Sequence, residues 1–348
     1  MRHLRVPSQE TERVLQQLKD ASALPEGARV QTDPTDSEHR LIPIIGDQPP
    51  SIVEHYLVVD IEVQPPAARS YRDHLDALLS PDVVTSIEWP TRHEFVGDLI
   101  LIKLNDVQRQ YSGAIGKALL RQHPRTRAVF EDRGVIGTFR VRDLELLMVR
   151  DGKEPTTRTQ IIENGHYLWT NPATVYYSSR LSHEREGTLA CAKKLRDEIE
   201  RPLIVCDPYA GVGPSLLPLI SAPNLVDELF AGDLNPAAVD FLRENINHHS
   251  VTIECTDARA LKDRPEMCGK FDLLLVNIPH DTLEHLPDLL PLVRSGGIIR
   301  GWAIIEHADF EEAQQYLRAT LGSDAIIDSR RSYSASADLC KFEAHKGA

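Results

Sequence analysis

From about residue 171 onward, short apolar runs alternate with helical stripes. Leu203-Ile204-Val205-Cys206, Leu229-Phe230-Ala231-Gly232, Val251 to Cys255, Phe271 to Val276 and Gly297 to Ile305 read as strands. Ala238, Phe241, Leu242 and Ile246 recur at helical spacing between two of them, and Thr188 to Ile199 predicts a helix before the first. Strands alternating with helices imply an α/β, doubly wound, Rossmann-like sheet that binds ligands at the carboxyl ends of its strands. Upstream the pattern is different. Tyr56-Leu57-Val58-Val59 and the stretch Phe95 to Ile102 read as strands, and Ala114 to Gln122 as a short helix, so residues 51–170 predict a separate α+β domain. Before it, Ser8 is placed to cap a helix carrying Glu10, Glu12, Val14, Leu18 and Ala21, and Leu41 to Ile45 reads as a strand. Gly46-Asp47-Gln48-Pro49-Pro50 is linker-like, which marks 1–50 as a small N-terminal module and leaves 171–348 as the doubly wound domain.

Composition narrows the class. The 348 residues are 41% hydrophobic and 26% charged, values that fit globular domains rather than a disordered chain. No apolar run approaches a membrane span, so no membrane partner is expected, and Met1-Arg2-His3-Leu4-Arg5 does not open a secretory leader. The five cysteines (Cys191, Cys206, Cys255, Cys268, Cys340) are dispersed and odd in number, which fits reduced thiols in a cytoplasmic protein with no disulfide partner and argues against a zinc knuckle; a monomer without a metal site is expected. The net charge of −13 argues against a general polyanion binder. It makes one local excess conspicuous: between residues 117 and 142, Lys117, Arg121, Arg125, Arg127, Arg133, Arg140 and Arg142 face only Glu131 and Asp132. Each arginine singly is as well explained by a solvated face; together they point to an anionic partner such as RNA.

Candidate chemistry begins at Asp207-Pro208-Tyr209-Ala210-Gly211-Val212-Gly213-Pro214, a glycine turn between the first doubly wound strand and a helix. Such a turn brings backbone close to a ligand and aims free N–H groups at it. A dinucleotide fingerprint would carry a third glycine where Leu216 stands, so NAD is disfavoured. Instead an acidic residue follows each of three consecutive strands. Asp207 could orient an amino group, Asp233 a ribose, and Asp257 with Ala258 an adenine edge, an arrangement that suits S-adenosylmethionine. Each aspartate alone could be a turn or cap residue. Asn277-Ile278-Pro279 ends the fourth strand beside the cofactor, where an amide can bind substrate or cofactor. Upstream, Arg180 and Glu184 stand at i and i+4. A surface ion pair is the plain account; a general base beside the cofactor is the functional one.

With these residues in hand, the chain resembles the archaeal–eukaryotic-type tRNA (guanine-37-N1) methyltransferases. The matching pieces, in family order, are Phe95-Val96-Gly97-Asp98, Gly137-Thr138-Phe139-Arg140, Val175-Tyr176 to Arg185, Asp207 to Pro214, Asp233-Leu234-Asn235-Pro236 and Asn277-Ile278-Pro279. The resemblance implies methyl transfer from S-adenosylmethionine to N1 of the guanine 3′ to the anticodon of tRNA. It assigns Glu184 as general base and Arg140 to the developing O6 charge. Asn277 and Pro279 would position base and cofactor, and Tyr176 and Arg180 would shape the pocket. Asp207, Gly211, Val212, Gly213, Asp233, Leu234, Asp257 and Ala258 would hold the donor, with Arg185 nearby. Lys117, Arg121, Arg125, Arg127 and Arg142 are the RNA-binding candidates, and 1–50 would sense tRNA shape. The chain departs from the pattern at Asn171 (Asp in relatives), at Glu186-Gly187 and at Ile278. Transfer of an aminocarboxypropyl group on the same scaffold, methylation of a wybutosine-pathway guanine, and a non-catalytic RNA-binding protein are the alternatives.

Overall fold

The structure is a computed structural model describing residues 2–25, 27–46, 48–61, 68–323 and 325–347; the side chains of Arg180 and of residues 328–330 lie outside it. The chain forms two compact units, divided between Arg69 and Ser70.

In the first unit, β1 (Arg2–Pro7) leads to α1 (Thr11–Asp20), then β2 (Gln31–Asp33), β3 (Asp36–Pro43) and β4 (Leu57–Asp60). The strands form an antiparallel sheet in the order β2-β3-β1-β4. Val14 and Leu18 of α1 pack on Leu4, Val6, Ile42 and Val53, the helical stripe read in the sequence. Ser8 does not cap α1: it opens a preceding 3-10 turn, and its hydroxyl donates to the Glu38 carbonyl at 2.7 Å. A boundary near residue 50 would cut this unit, because β4 pairs with the edge of β1, from Arg2 opposite Asp60 to Arg5 opposite Leu57.

The second unit opens with α2 (Pro81–Ser86), β5 (His93–Val96), β6 (Leu99–Ile102), α3 (Asp106–Arg109), α4 (Ser112–Gln122), β7 (Ala128–Ile136) and β8 (Val141–Val149). Phe95 to Ile102 is thus a hairpin rather than one strand. Gly97, at φ +58°, turns the chain where a Cβ would lie 2.2 Å from the Thr159 hydroxyl oxygen. β6 is buried on both faces, which explains its unbroken apolar run. Ile100 and Ile102 pack with Ile115 and Leu119 of α4. Leu99 and Leu101, on the opposite face, join a hydrophobic cluster containing Val205, Leu229 and Leu273.

That cluster belongs to the doubly wound domain. After the hairpin β9 (Thr159–Glu163) and β10 (His166–Thr170) come α5 (Ser182–Ile199), β11 (Leu203–Asp207), α6 (Leu216–Ser221), β12 (Val226–Asp233), α7 (Pro236–Asn245), β13 (Val251–Cys255), β14 (Phe271–Val276), α8 (Thr282–Leu289), β15 (Val293–Glu306), α9 (Phe310–Leu321), β16 (Ile326–Ser332) and β17 (Ala337–His345). Among the described residues the sheet has seven strands in the order β13-β12-β11-β14-β15-β17-β16, parallel except for the antiparallel β17, which pairs with both β15 and β16. The order reverses between β11 and β14, and the carboxyl ends there form the ligand crevice of such a sheet. The doubly wound sheet read in the sequence is present. The α+β region packs into its core, so residues 70–348 behave as one body.

Candidate active site

The glycine turn follows β11 directly. Gly213 is held at φ +90°, where a Cβ would come within 2.9 Å of Ile246, so the turn packs down onto α7. Asn245, which no motif or spacing singles out, fixes this geometry. Its amide donates to the carbonyls of Val212 and Trp169, each at 2.9 Å, and its oxygen accepts the Trp169 N–H at 2.8 Å. It thereby ties the turn to the β9–β10 hairpin.

Asp207 ends β11 completely buried. One carboxylate oxygen accepts the Tyr209 N–H at 3.2 Å; the other has no hydrogen-bond partner among the described residues. Burial pushes its pKa up to about 7. Asp233, at the end of β12, is also raised by burial, and its two oxygens accept the N–H groups of Gly211 and Asn235, both at 2.9 Å. Beside it the apolar side chain of Leu234 is exposed. Asp257 is engaged differently from the other two: it caps the turn that follows by accepting the Arg259 N–H at 2.9 Å and pairs with the Arg259 guanidinium at 3.1 Å. Hydrogen bonds from Arg259, first from its side chain, hold it below the usual carboxylate range. Ala258 is buried beneath it. An orphaned buried carboxylate oxygen, a glycine cradle and an exposed leucine at adjacent strand tips fit a donor with a cationic amino group and an adenosyl part.

The remaining residues approach from other elements. Glu184 lies in the first turn of α5, half-buried, and accepts the Trp302 indole N–H at 3.5 Å. Trp302 follows Gly301 on β15, and Gly301 pairs with Val276, the residue before Asn277. The Asn277-Ile278-Pro279 loop is pinned by the Ile304 N–H on the Pro279 carbonyl at 2.7 Å and by the Thr282 hydroxyl on the Ile278 carbonyl at 2.8 Å. Arg140 ends the Gly137–Arg140 turn between β7 and β8 with φ +53°, a left-handed conformation that costs a non-glycine residue about 1 kcal/mol or more. Its charge acts on the same loop: burial, and after it the Arg140 charge, hold His280 below the usual imidazole range. The exposed Tyr176 places its carbonyl against the glycine turn, 4.0 Å from where a Gly211 Cβ would stand. The Arg180 side chain lies outside the described residues.

Two of the candidate groups are engaged by partners distant in sequence. Arg185 is close enough to Asp207 for its charge to oppose the rise in that carboxyl's pKa. It is buried, with one terminal nitrogen donating to both Glu163 oxygens at 2.7 and 2.6 Å and the other to the Ser178 carbonyl at 3.0 Å. The Tyr177 hydroxyl donates to the same carboxylate at 2.5 Å, so Glu163 brackets the segment leading into α5. The basic excess also largely cancels. Arg127 directs its donors to both oxygens of Asp98 and to the carbonyls of Glu154, Thr156 and Arg158. Arg142 bridges Asp132 at 3.0 Å and Glu94 at 2.9 Å, and Arg133 pairs with Glu131 and Glu145. Lys117, Arg121 and Arg125 are left exposed to solvent.

Comparison with known proteins agrees with this architecture. A family model described as the TRM5/TYW2 methyltransferase domain matches residues 159–321, and one described as the TYW2 N-terminal domain matches 71–152. Residues 159–321 thus form a TRM5/TYW2 methyltransferase domain. Among its relatives is the tRNA (guanine(37)-N(1))-methyltransferase Trm5b of Pyrococcus abyssi, 29% identical over 299 residues, or 85% of this chain and 82% of that protein. The solved complex of aTrm5 with tRNALeu superposes with a TM-score of 0.69 at 24% identity, covering 98% of both chains. The structure of Pyrococcus horikoshii TYW2 with MeSAdo gives a TM-score of 0.60 at 21% identity and covers 78% of this chain and 96% of its own. Asn171, one of the departures from the family pattern, forms a local turn in which its side-chain oxygen accepts the Ala173 N–H at 3.1 Å. No helix among the described residues is long and apolar enough to cross a membrane.

Proposed function

We propose that this protein is a cytoplasmic, monomeric tRNA methyltransferase that transfers the methyl group of S-adenosylmethionine to N1 of guanine 37, with Glu184 as general base. What supports the reading is proximity: Glu184 bonds Trp302, which follows the strand partner of Val276, and the Arg140 charge acts on His280, so both bear on the Asn277-Ile278-Pro279 loop. When bound, the donor supplies an electrophilic methyl on a sulfonium. The chain's own residues do the rest. Guanine N1 carries a proton at neutral pH and is a poor nucleophile, so Glu184 removes that proton as the N1 lone pair attacks. Arg140 stabilises the negative charge that spreads to O6. Asn277 and Pro279 hold the base in line, and Asp207 and Asp233 orient the amino and ribose groups of the donor. The target base must leave its stack to reach this loop, which gives the packed α+β sheet its purpose as a grip on the RNA.

Glu184→Gln tests the assignment. With unmodified tRNA and labelled donor, methyl transfer should fall by about 10²- to 10⁴-fold while donor affinity changes little. Full activity in that variant removes Glu184 as the base. Aminocarboxypropyl transfer is the second reading, favoured by the match of residues 71–152 to the TYW2 N-terminal domain. Against it, the aTrm5 structure covers 98% of this chain and the TYW2 structure 78%. The mass of the product nucleoside distinguishes a methyl group from the larger substituent.

A further inference from the structure

The motif Phe95-Val96-Gly97-Asp98 takes no part in the chemistry above, yet its aromatic ring is unusually presented. Phe95 is 50% exposed although it pairs across the hairpin with the fully buried Ile100. Its ring is braced edge-to-face by His93, at 5.1 Å between centroids and 74°, and by His123, at 5.0 Å and 83°. The two histidines also meet each other at 5.3 Å, so three rings form a fixed cluster. Fixing an aromatic face in this way removes the entropy that a mobile side chain would lose on binding.

The ring forms part of the lining of an open cleft of about 450 Å³ that also includes Arg125, Ile162, Tyr177 and Ser179, and so runs up to the segment carrying Tyr176 and Glu184. Its acidic lining residues are already paired, Glu94 with Arg142 and Asp98 with Arg127. Arg125 is therefore the uncompensated charge in the cleft, with Arg121 and Lys117 exposed on the preceding helix. An aromatic face beside a positive charge, continuous with a methyl-transfer site, matches a single-stranded nucleotide: base on the ring, phosphate on the guanidinium.

We propose that Phe95 is a stacking platform for an unpaired base of the tRNA flanking the target guanine, with Arg125 on its phosphate. The proposal rests on the tRNA-methyltransferase reading. The test uses the full chain and unmodified tRNA, measuring affinity by anisotropy and single-turnover methylation at saturating tRNA. Phe95→Ala and Phe95→Leu should weaken tRNA binding by roughly 5- to 150-fold, the range for one unstacked base, whereas Phe95→Tyr stays within about two-fold. Arg125→Gln should reduce the salt dependence of binding by about one phosphate's worth of released counterion. Leucine keeps the apolar bulk without the π face, so a Phe95→Leu protein that binds like the original overturns the platform and leaves only packing. If the unsubstituted protein neither binds nor methylates tRNA, the parent reading fails and takes this one with it. If it does both and the Phe95 variants are unchanged, this proposal alone fails.

Discussion

Replacing Asp207 by asparagine separates what the site needs from what the fold needs. The carboxyl group is fully buried, and burial moves its pKa from 3.8 to about 7 in the folded, donor-free protein. Between those values the folded state keeps a proton that the unfolded chain has released. Stability from this group is therefore full at low pH and declines as pH rises through about 7. A shift of about three units corresponds to about 4 kcal/mol of lost stability at pH 8. Asparagine keeps the oxygen that accepts the Tyr209 N–H and removes the charge, but it sets an amide N–H₂ where the unpartnered oxygen stood, costing about 1–3 kcal/mol. The net expectation is a variant about 1–3 kcal/mol more stable than the original at pH 8 without donor, and less stable below pH 4. Donor binding should move the other way. A buried carboxylate opposite a cationic amino group contributes about 1.5–3 kcal/mol, so affinity should fall by roughly 10- to 100-fold. Urea melts at pH 4, 6 and 8 and donor titrations across the same range measure both. An Asp207→Asn protein less stable than the original at pH 8, or with unchanged donor affinity, would refute the assignment of this buried carboxylate to the donor.

Further expectations follow from the buried pairs. Glu163→Gln leaves Arg185 charged and half-partnered in the interior and should destabilise the fold by about 3–5 kcal/mol, whereas replacing both Glu163 and Arg185 by methionine should recover much of that loss, as read by urea midpoints. Arg127→Ala should lower the melting temperature and leave the salt dependence of tRNA affinity unchanged, because its donors are taken up within the protein. Lys117, Arg121 and Arg125 changed together to glutamine should do the reverse, cutting the salt slope by up to about 0.9 for each phosphate that these side chains neutralise.

Much of the doubly wound half is legible because β11, β14 and most of β12 are buried on both faces and β11 and β12 end in aspartates, so composition and punctuation agree. Phe95 to Ile102 reads as one strand because apolar residues continue on both sides of a two-residue turn. Ser8 misleads because a 3-10 turn intervenes before α1. The basic segment misleads for a different reason. Charges summed within a window include Arg127 and Arg142 but not Asp98 and Glu94, which lie 29 and 48 residues before them. Trp302, 118 residues from Glu184, and Asn245, 76 residues from Trp169, are invisible in the same way. Gly187, within one of the departures from relatives, packs against the buried Arg300 guanidinium, 2.7 Å from where a Cβ would stand.

Leu99 and Leu101 share a core with Val205, Leu229 and Leu273, and this bears on how substrate errors are felt. A gripping module on a hinge can accommodate an ill-fitting RNA by tilting, and the reacting atoms never register the misfit. Here the sheet that carries Phe95 and Arg140 cannot tilt without opening the hydrophobic interior of the catalytic sheet. A displaced phosphate must therefore show itself either as weaker affinity or as a misaligned base at the methyl group. In the proposed enzyme, discrimination between RNAs would rest on stiffness rather than on a hinge.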